Sequence, residues 1–228
     1  MSSDRSPGTG QQWGTVIPFY GARDRRLFAI ERRCMDRDGI VIGRLDALLP
    51  AGKVLDIGAG DGFTAERLTR SDRRVIPLEP AVGMIDRGRP LPWVQGAAQH
   101  LPFTDHSLDG AYATWAYFFP DSGYGEAGLT ELHRVVRSGG PLLIVDNAGE
   151  DEFSQYLDDP SQMTSDAAWW AAHGFACEVM PTSFRFDHLD EARELLAFYF
   201  GERGRTEARQ EVEYRVALYH RCAGTDSC

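Results

Sequence analysis

Little in this sequence favours a partner of negative charge. Its 228 residues carry 24 basic against 34 acidic side chains, a net charge of −10, and the pI is about 5.1. Lysine is nearly absent: Lys53 is the only one, the other basic residues being arginines, a bias that reads as genomic base composition rather than chemistry. Backbone-phosphate recognition rewards clustered Lys and Arg, so no nucleic-acid partner is expected. Cysteine is sparse. Cys34, Cys177, Cys222 and Cys228 form no C-x-x-C pair, so no metal site is expected, and a cytoplasmic protein with free thiols is the simplest reading. Long apolar runs are missing too. Residues 1–12 are polar and lack the apolar stretch of a signal peptide, and the longest apolar run, Ala111 to Phe119, is too short to span a membrane. No internal repeat or linker stands out. At 43% hydrophobic and 25% charged, the chain has the composition of one globular domain with a sizeable core.

Against these absences, glycine is concentrated where it matters. Val54-Leu55-Asp56-Ile57 reads as a buried strand, and Gly58-Ala59-Gly60-Asp61-Gly62-Phe63 as a turn running into a helix. Three positions without a Cβ in five residues allow positive φ and let a ligand approach the backbone. A dinucleotide turn would place a third glycine where Phe63 stands, and Asp56 would repel a pyrophosphate. The same carboxylate suits a cationic ligand bearing an ammonium or sulfonium. VLDIGAGDG resembles motif I of the class I S-adenosylmethionine (SAM) methyltransferases of small-molecule type, the ubiquinone/menaquinone-methyltransferase-like group.

That resemblance extends over residues 53–148 and weakens outside them. Glu79, 21 residues after Gly58, ends a second strand, Val75–Leu78, where a ribose diol is held. Pro80 and Met84 then match the family's Pro-Ser-x-x-Met, with Met84 on the adenine. Trp93-Val94-Gln95 reads as a short third strand. Gly96 to Phe103 is similar to G-D-A-x-x-L-P-F, except that Ala97 stands in the place of the adenine-binding Asp, which leaves Ala98 or Gln99 to serve. Leu108 to Trp115 reads as the fourth strand, followed by Tyr117, Phe118 and Phe119. E-L-H-R-V-V-R-S-G-G, ending at Gly140, is similar to the family's E-x-x-R-V-L-K-P-G-G.

The resemblance implies an α/β fold: a Rossmann-like, doubly wound, seven-stranded sheet with its last strand antiparallel, and an N-terminal helical arm. Residues 1–12 are expected to be a disordered tail, 13–50 an arm or lid broken near Gly39, and 51–222 the SAM-binding domain. The helix Leu189–Tyr199 is expected to stop at Gly201. The implied cofactor-binding residues are Asp56, Gly58, Ala59, Gly60, Glu79, Pro80, Met84, Ala98, Gln99, Thr114 and Tyr20. Trp115, Tyr117, Phe118 and Phe119 are expected to wall the acceptor pocket. No catalytic residue declares itself; Asp146, His106 and Tyr117 are the candidates for a general base. The expected function is methyl transfer from SAM, leaving S-adenosylhomocysteine, to a small molecule with an apolar or aromatic part. A non-catalytic SAM-binding sensor or assembly protein is the alternative, and an NAD-dependent oxidoreductase fits less well.

Overall fold

The computed structural model describes Gly21, residues 23–116 and residues 125–224. Six strands form one sheet: β1 (Gly52–Ile57), β2 (Arg73–Leu78), β3 (Gly110–Thr114), β4 (Pro141–Asn147), β5 (Ala176–Arg185) and β6 (Glu211–Cys222), in the order β2-β1-β3-β4-β6-β5. β2, β1, β3 and β4 pair in parallel. β6 runs antiparallel between β4 and β5.

Seven strands were expected and six form among the described residues. Trp93-Val94-Gln95 is reduced to a single parallel bridge, Leu78 to Val94, held by Val94 N–H to the Pro77 carbonyl (2.9 Å) and Glu79 N–H to the Val94 carbonyl (3.1 Å). Pro90 and Pro92 lack donors on one side and Gly96 follows on the other, so no ladder propagates beyond Val94. Pro181 is tolerated in β5 because β5 is an edge strand.

Six α-helices cover the sheet: α1 (Arg25–Cys34), α2 (Ile40–Leu48), α3 (Phe63–Leu68), α4 (Gly125–Val135), α5 (Ala167–Ala172) and α6 (Leu189–Thr206). Side chains alternate across each strand. Val54, Tyr112, Leu143 and Val145 meet Leu27, Ile30, Leu45, Leu68 and Leu195 of α1, α2, α3 and α6. Leu55, Ile57, Ala113 and Ile144 meet Leu129, Leu132 and Trp170 of α4 and α5. The sheet is therefore covered on both faces, which explains its near-continuous apolar strands.

Gly39 breaks the arm into two helices with φ +70°. The buried Arg73 guanidinium then fastens α2 to β2, donating to the Pro50 (2.9 Å) and Leu49 (2.6 Å) carbonyls and the Asp46 carboxylate (2.7 Å). α1 is tied to α6 by Arg33–Glu191 (2.6 Å) and by Tyr199 O–H to Glu31. Gly201 kinks α6 rather than ending it, with φ +62° and ψ −139°, and the helix continues to Thr206. Cys34 and Cys177 are free thiols. Cys222 is disulfide-bonded, which corrects the expectation of free thiols throughout. Among the described residues no helix is long and apolar enough to cross a membrane, and no group of His, Cys, Asp and Glu could hold a metal ion. The stretch Trp13–Tyr20, including Tyr20, and the positions Tyr117, Phe118 and Phe119 lie outside the described residues.

Candidate active site

The glycine turn leaves the carboxyl end of β1 with φ +67° at Gly58, +57° at Gly60 and +80° at Gly62. Gly58 and Ala59 both donate to the Leu78 carbonyl (2.9 and 3.0 Å), pinning the turn to the end of β2. Neighbours crowd it. A Cβ at Gly58 would lie 2.4 Å from the Ala116 methyl, and one at Gly60 would meet the Phe28 ring at 3.3 Å and the Met84 methyl at 3.6 Å. The turn is thus a backbone surface covered by Phe28 of α1 and by Met84, which is buried.

Glu79 is built into this surface. Its Oε2 accepts from Gly60 N–H (2.9 Å) and its Oε1 from Ala81 N–H (2.8 Å). Burial raises its carboxyl above the usual range, and those two amides oppose the rise. Two N–H bonds occupy only half of a carboxylate's acceptor capacity, so a diol can still be held.

Asp56 is different. It is 1% exposed and neither carboxyl oxygen has a hydrogen-bond partner. Burial pushes its carboxyl up to about 7, with Glu79 and Asp61 adding to the rise. The Tyr112 hydroxyl and the Arg32 charge oppose it. Tyr112 is Asp56's register partner on β3, close enough to act on the carboxyl but without a hydrogen bond of normal geometry. Asp146, at the end of β4, accepts only from Asn147 N–H (2.8 Å). Its side chain is part-exposed, yet the surrounding protein is dense enough that burial pushes the carboxyl up to about 7. Both acids are kept near neutral pH by desolvation without a compensating cation, a pattern typical of functional carboxyls.

Beside the turn lies a cleft of about 310 Å³ that opens to solvent, lined by Met35, Val41, Ile42, Phe63, Thr114 and Trp115, with Arg32, Asp36 and Thr64 as further polar groups. Trp115 has φ +48°, an unusual backbone for a bulky residue. The strand alternation breaks there, and the indole turns to the face of α1 and α3, where its N–H donates to the Tyr214 hydroxyl (2.7 Å). Tyr214 O–H in turn donates to Asn147. Thr114 and Trp115 therefore both reach the cleft as expected from the sequence.

Other expected residues are spread more widely. Pro80 is part-buried beside Glu79, and its carbonyl accepts from Gln95 (3.5 Å). Ala98 and Gln99 are part-buried in the turn bridged by Ala97 and His100. His106 sits away from the cleft. It precedes β3, and its ring pairs with the Val136 carbonyl (3.2 Å) at the amino end of that strand. Sequence reading missed Arg32, Thr64, Asn147 and Tyr214. Only Arg32 left a signal: it is four residues after Phe28, so the two share a face of α1.

Comparison with known proteins agrees with this geometry. The methyltransferase domain family model matches residues 55–144. Residues 55–144 are a methyltransferase domain. The matched stretch runs from the glycine turn to the middle of β4. Over 97 residues the chain is 36% identical to the demethylmenaquinone methyltransferase of Corynebacterium kroppenstedtii, 42% of each chain being covered. The Mycobacterium tuberculosis enzyme of the same name matches at 36% over 42% of this chain and 41% of its own. The chain thus spans less than half the length of these curated relatives. Two solved structures share the fold at low identity. The YcgJ protein of Bacillus subtilis has a TM-score of 0.52 at 22% identity, covering 80% of this chain and 95% of its own. A SAM-dependent methyltransferase of Thermotoga maritima has 0.54 at 21%, covering 86% and 93%. The methyltransferase domain accounts for β1 to β4, and these structural neighbours extend the likeness to most of the sheet.

Proposed function

We propose that this protein transfers a methyl group from SAM to a small-molecule acceptor with an apolar or planar part. The observation that carries the reading is the crowded glycine turn, whose Gly60 amide is already held by the Glu79 carboxylate at 2.9 Å. A ribose diol fits the remaining acceptor capacity of Glu79, and the Met84 side chain stands beside the turn for the adenine. The buried, unpartnered Asp56 suits a cationic amino-acid tail. When bound, SAM supplies a sulfonium methyl that an in-line nucleophile can take, the carbon–sulfur pair of electrons leaving with sulfur as S-adenosylhomocysteine.

The chain's own contribution is position and a proton acceptor. Holding the acceptor in line at about 3–3.5 Å from the methyl supplies much of the rate. The Trp115 ring, fixed by Tyr214, gives an apolar wall for a planar acceptor. Asp146 lies at the carboxyl end of β4, where ligands bind in open α/β sheets. Its carboxyl at about 7 is matched to taking the proton of a weakly acidic acceptor hydroxyl or carbon as the new bond to methyl forms.

Calorimetry with SAM, S-adenosylhomocysteine and NAD tests the cofactor, and incubation with methyl-labelled SAM and a metabolite extract tests transfer. Tight binding of SAM, and labelling of an acceptor with a planar or apolar part, are expected. Preference for NAD, or SAM binding without any labelled product, would replace this reading with an oxidoreductase or a sensor.

A further inference from the structure

Arg32 is a cation without an anion. Among the described residues it makes no ion pair; its one hydrogen bond runs from Nη2 to Thr64 Oγ1 (2.8 Å). Three rings hold the guanidinium instead, with centroids 5.9 Å away for Phe28, 5.7 Å for Phe63 and 5.5 Å for Trp115. These rings fix its place while leaving most of its five N–H donors uncommitted. Asp36, the acid lining the same cleft, turns Oδ2 to the Val41 and Ile42 amides (both 3.1 Å) and so caps α2.

The position of Arg32 narrows the kind of anion. Phe63 and Thr64 directly follow the glycine turn, and Phe28 packs over Gly60. Arg32 therefore stands where the turn enters α3, whereas Glu79 stands at the end of β2. Its charge also reaches Asp56, whose two oxygens lack partners. A cation and an orphaned carboxylate beside one glycine turn complement a zwitterion.

Building on the SAM-binding reading, we propose that Arg32 receives the α-carboxylate of the cofactor's methionine moiety, with Asp56 serving its ammonium. Arg32 thereby selects for a nucleoside carrying a complete amino acid. α1 then contributes a cofactor contact as well as covering the turn.

The test is a cycle of one residue against one ligand group. Calorimetry compares SAM with decarboxylated SAM, which keeps the ammonium, sulfonium and adenosine, in the wild type, Arg32→Met and Arg32→Lys. Arg32→Met is expected to weaken SAM by at least about tenfold, as for a lost charge-assisted bond, while leaving the decarboxylated ligand within about twofold. Arg32→Lys is expected to recover part of the SAM affinity. Unchanged SAM affinity in Arg32→Met, or equal losses for both ligands, would overturn the assignment and leave Arg32 as a support for its rings. A folded wild type that binds neither nucleoside would overturn the SAM reading itself, and the inference with it.

Discussion

The two flanks of the glycine turn treat their acids in opposite ways. On the β2 flank, Glu79 is buried and bonded by two backbone amides at 2.9 and 2.8 Å. On the β1 and β4 flank, Asp56 has no hydrogen-bond partner and Asp146 has only the adjacent Asn147 amide. Both are pushed up to about 7. The first flank is complete before any ligand arrives: its carboxylate shapes the turn that it shares with the nucleoside. The second is left incomplete, and buried polar groups without partners are costly. That cost is informative, because strain and desolvation of this kind concentrate where a ligand or a reaction supplies what is missing.

The sharpest break of this comparison is at Asp146. Asn keeps the shape but cannot take a proton. Turnover of Asp146→Asn is expected to fall by about 10²–10⁴, the usual worth of a general base, with SAM affinity unchanged. With the donor saturating, wild-type turnover should rise with pH and level off above about 7, as Asp146 loses its proton. A variant with full turnover, or with the same pH profile, would show that the acceptor needs no base or finds another.

On the completed flank, Gly60→Val is expected to reduce SAM affinity by at least about a hundredfold. Its Cβ would meet the Phe28 ring at 3.3 Å with φ held at +57°, a backbone that a β-branched residue strongly resists. Circular dichroism should still show a folded domain, since Phe28 is a movable ring. Glu79→Ala should cost SAM about tenfold, roughly 1.4 kcal/mol. It should also lower the melting temperature without ligand, because Gly60 and Ala81 both lose an acceptor. A variant that loses ligand affinity but no intrinsic stability would mean that the turn does not depend on Glu79.

These contrasts also mark what could be read in the sequence. The completed flank was legible because its chemistry is local: glycines at fixed spacing, and an acid at the next strand end. The parallel core was legible for a related reason, since strands buried on both faces are almost wholly apolar. The third strand was over-read because Trp93-Val94-Gln95 looks extended, while Pro90 and Pro92 deny it a ladder. The incomplete flank was half legible. Asp56 and Asp146 could be named, but their lack of partners depends on what packs around them from other strands. Arg32 escaped notice because a single arginine in R-R-L-F-A-I-E-R-R-C looks like surface charge until Phe63 and Trp115 close over it. The Trp115–Tyr214–Asn147 chain joins three strands and has no local signature.

The smallest effect separates burial from function at Asp56. Its carboxyl rises from 3.8 to about 7 on folding, chiefly through burial. Between those values the folded chain keeps a proton that the unfolded chain has lost. On this group's account the protein is therefore most stable below about pH 4, loses stability as pH climbs towards 7, and stays at the lower level above it. A tenfold change in proton affinity corresponds to about 1.4 kcal/mol, before relaxation and water reduce it. Asp56→Asn removes the charge and keeps the shape, so the ligand-free variant should be more stable than the wild type at pH 8 by on the order of 1–3 kcal/mol. The two should draw together at pH 4. Asp146 adds a slope of the same sign to both proteins, so only their difference reports on Asp56. Saturating SAM should reverse the ranking at pH 8, because the wild-type carboxylate then gains the ammonium it lacks, and the neutral amide cannot match that pairing. Thermal melts at both pH values, with and without SAM, check this. If the ligand-free variant gains nothing at pH 8, the Asp56 carboxylate is already solvated or paired in solution, and the contrast with Glu79 disappears.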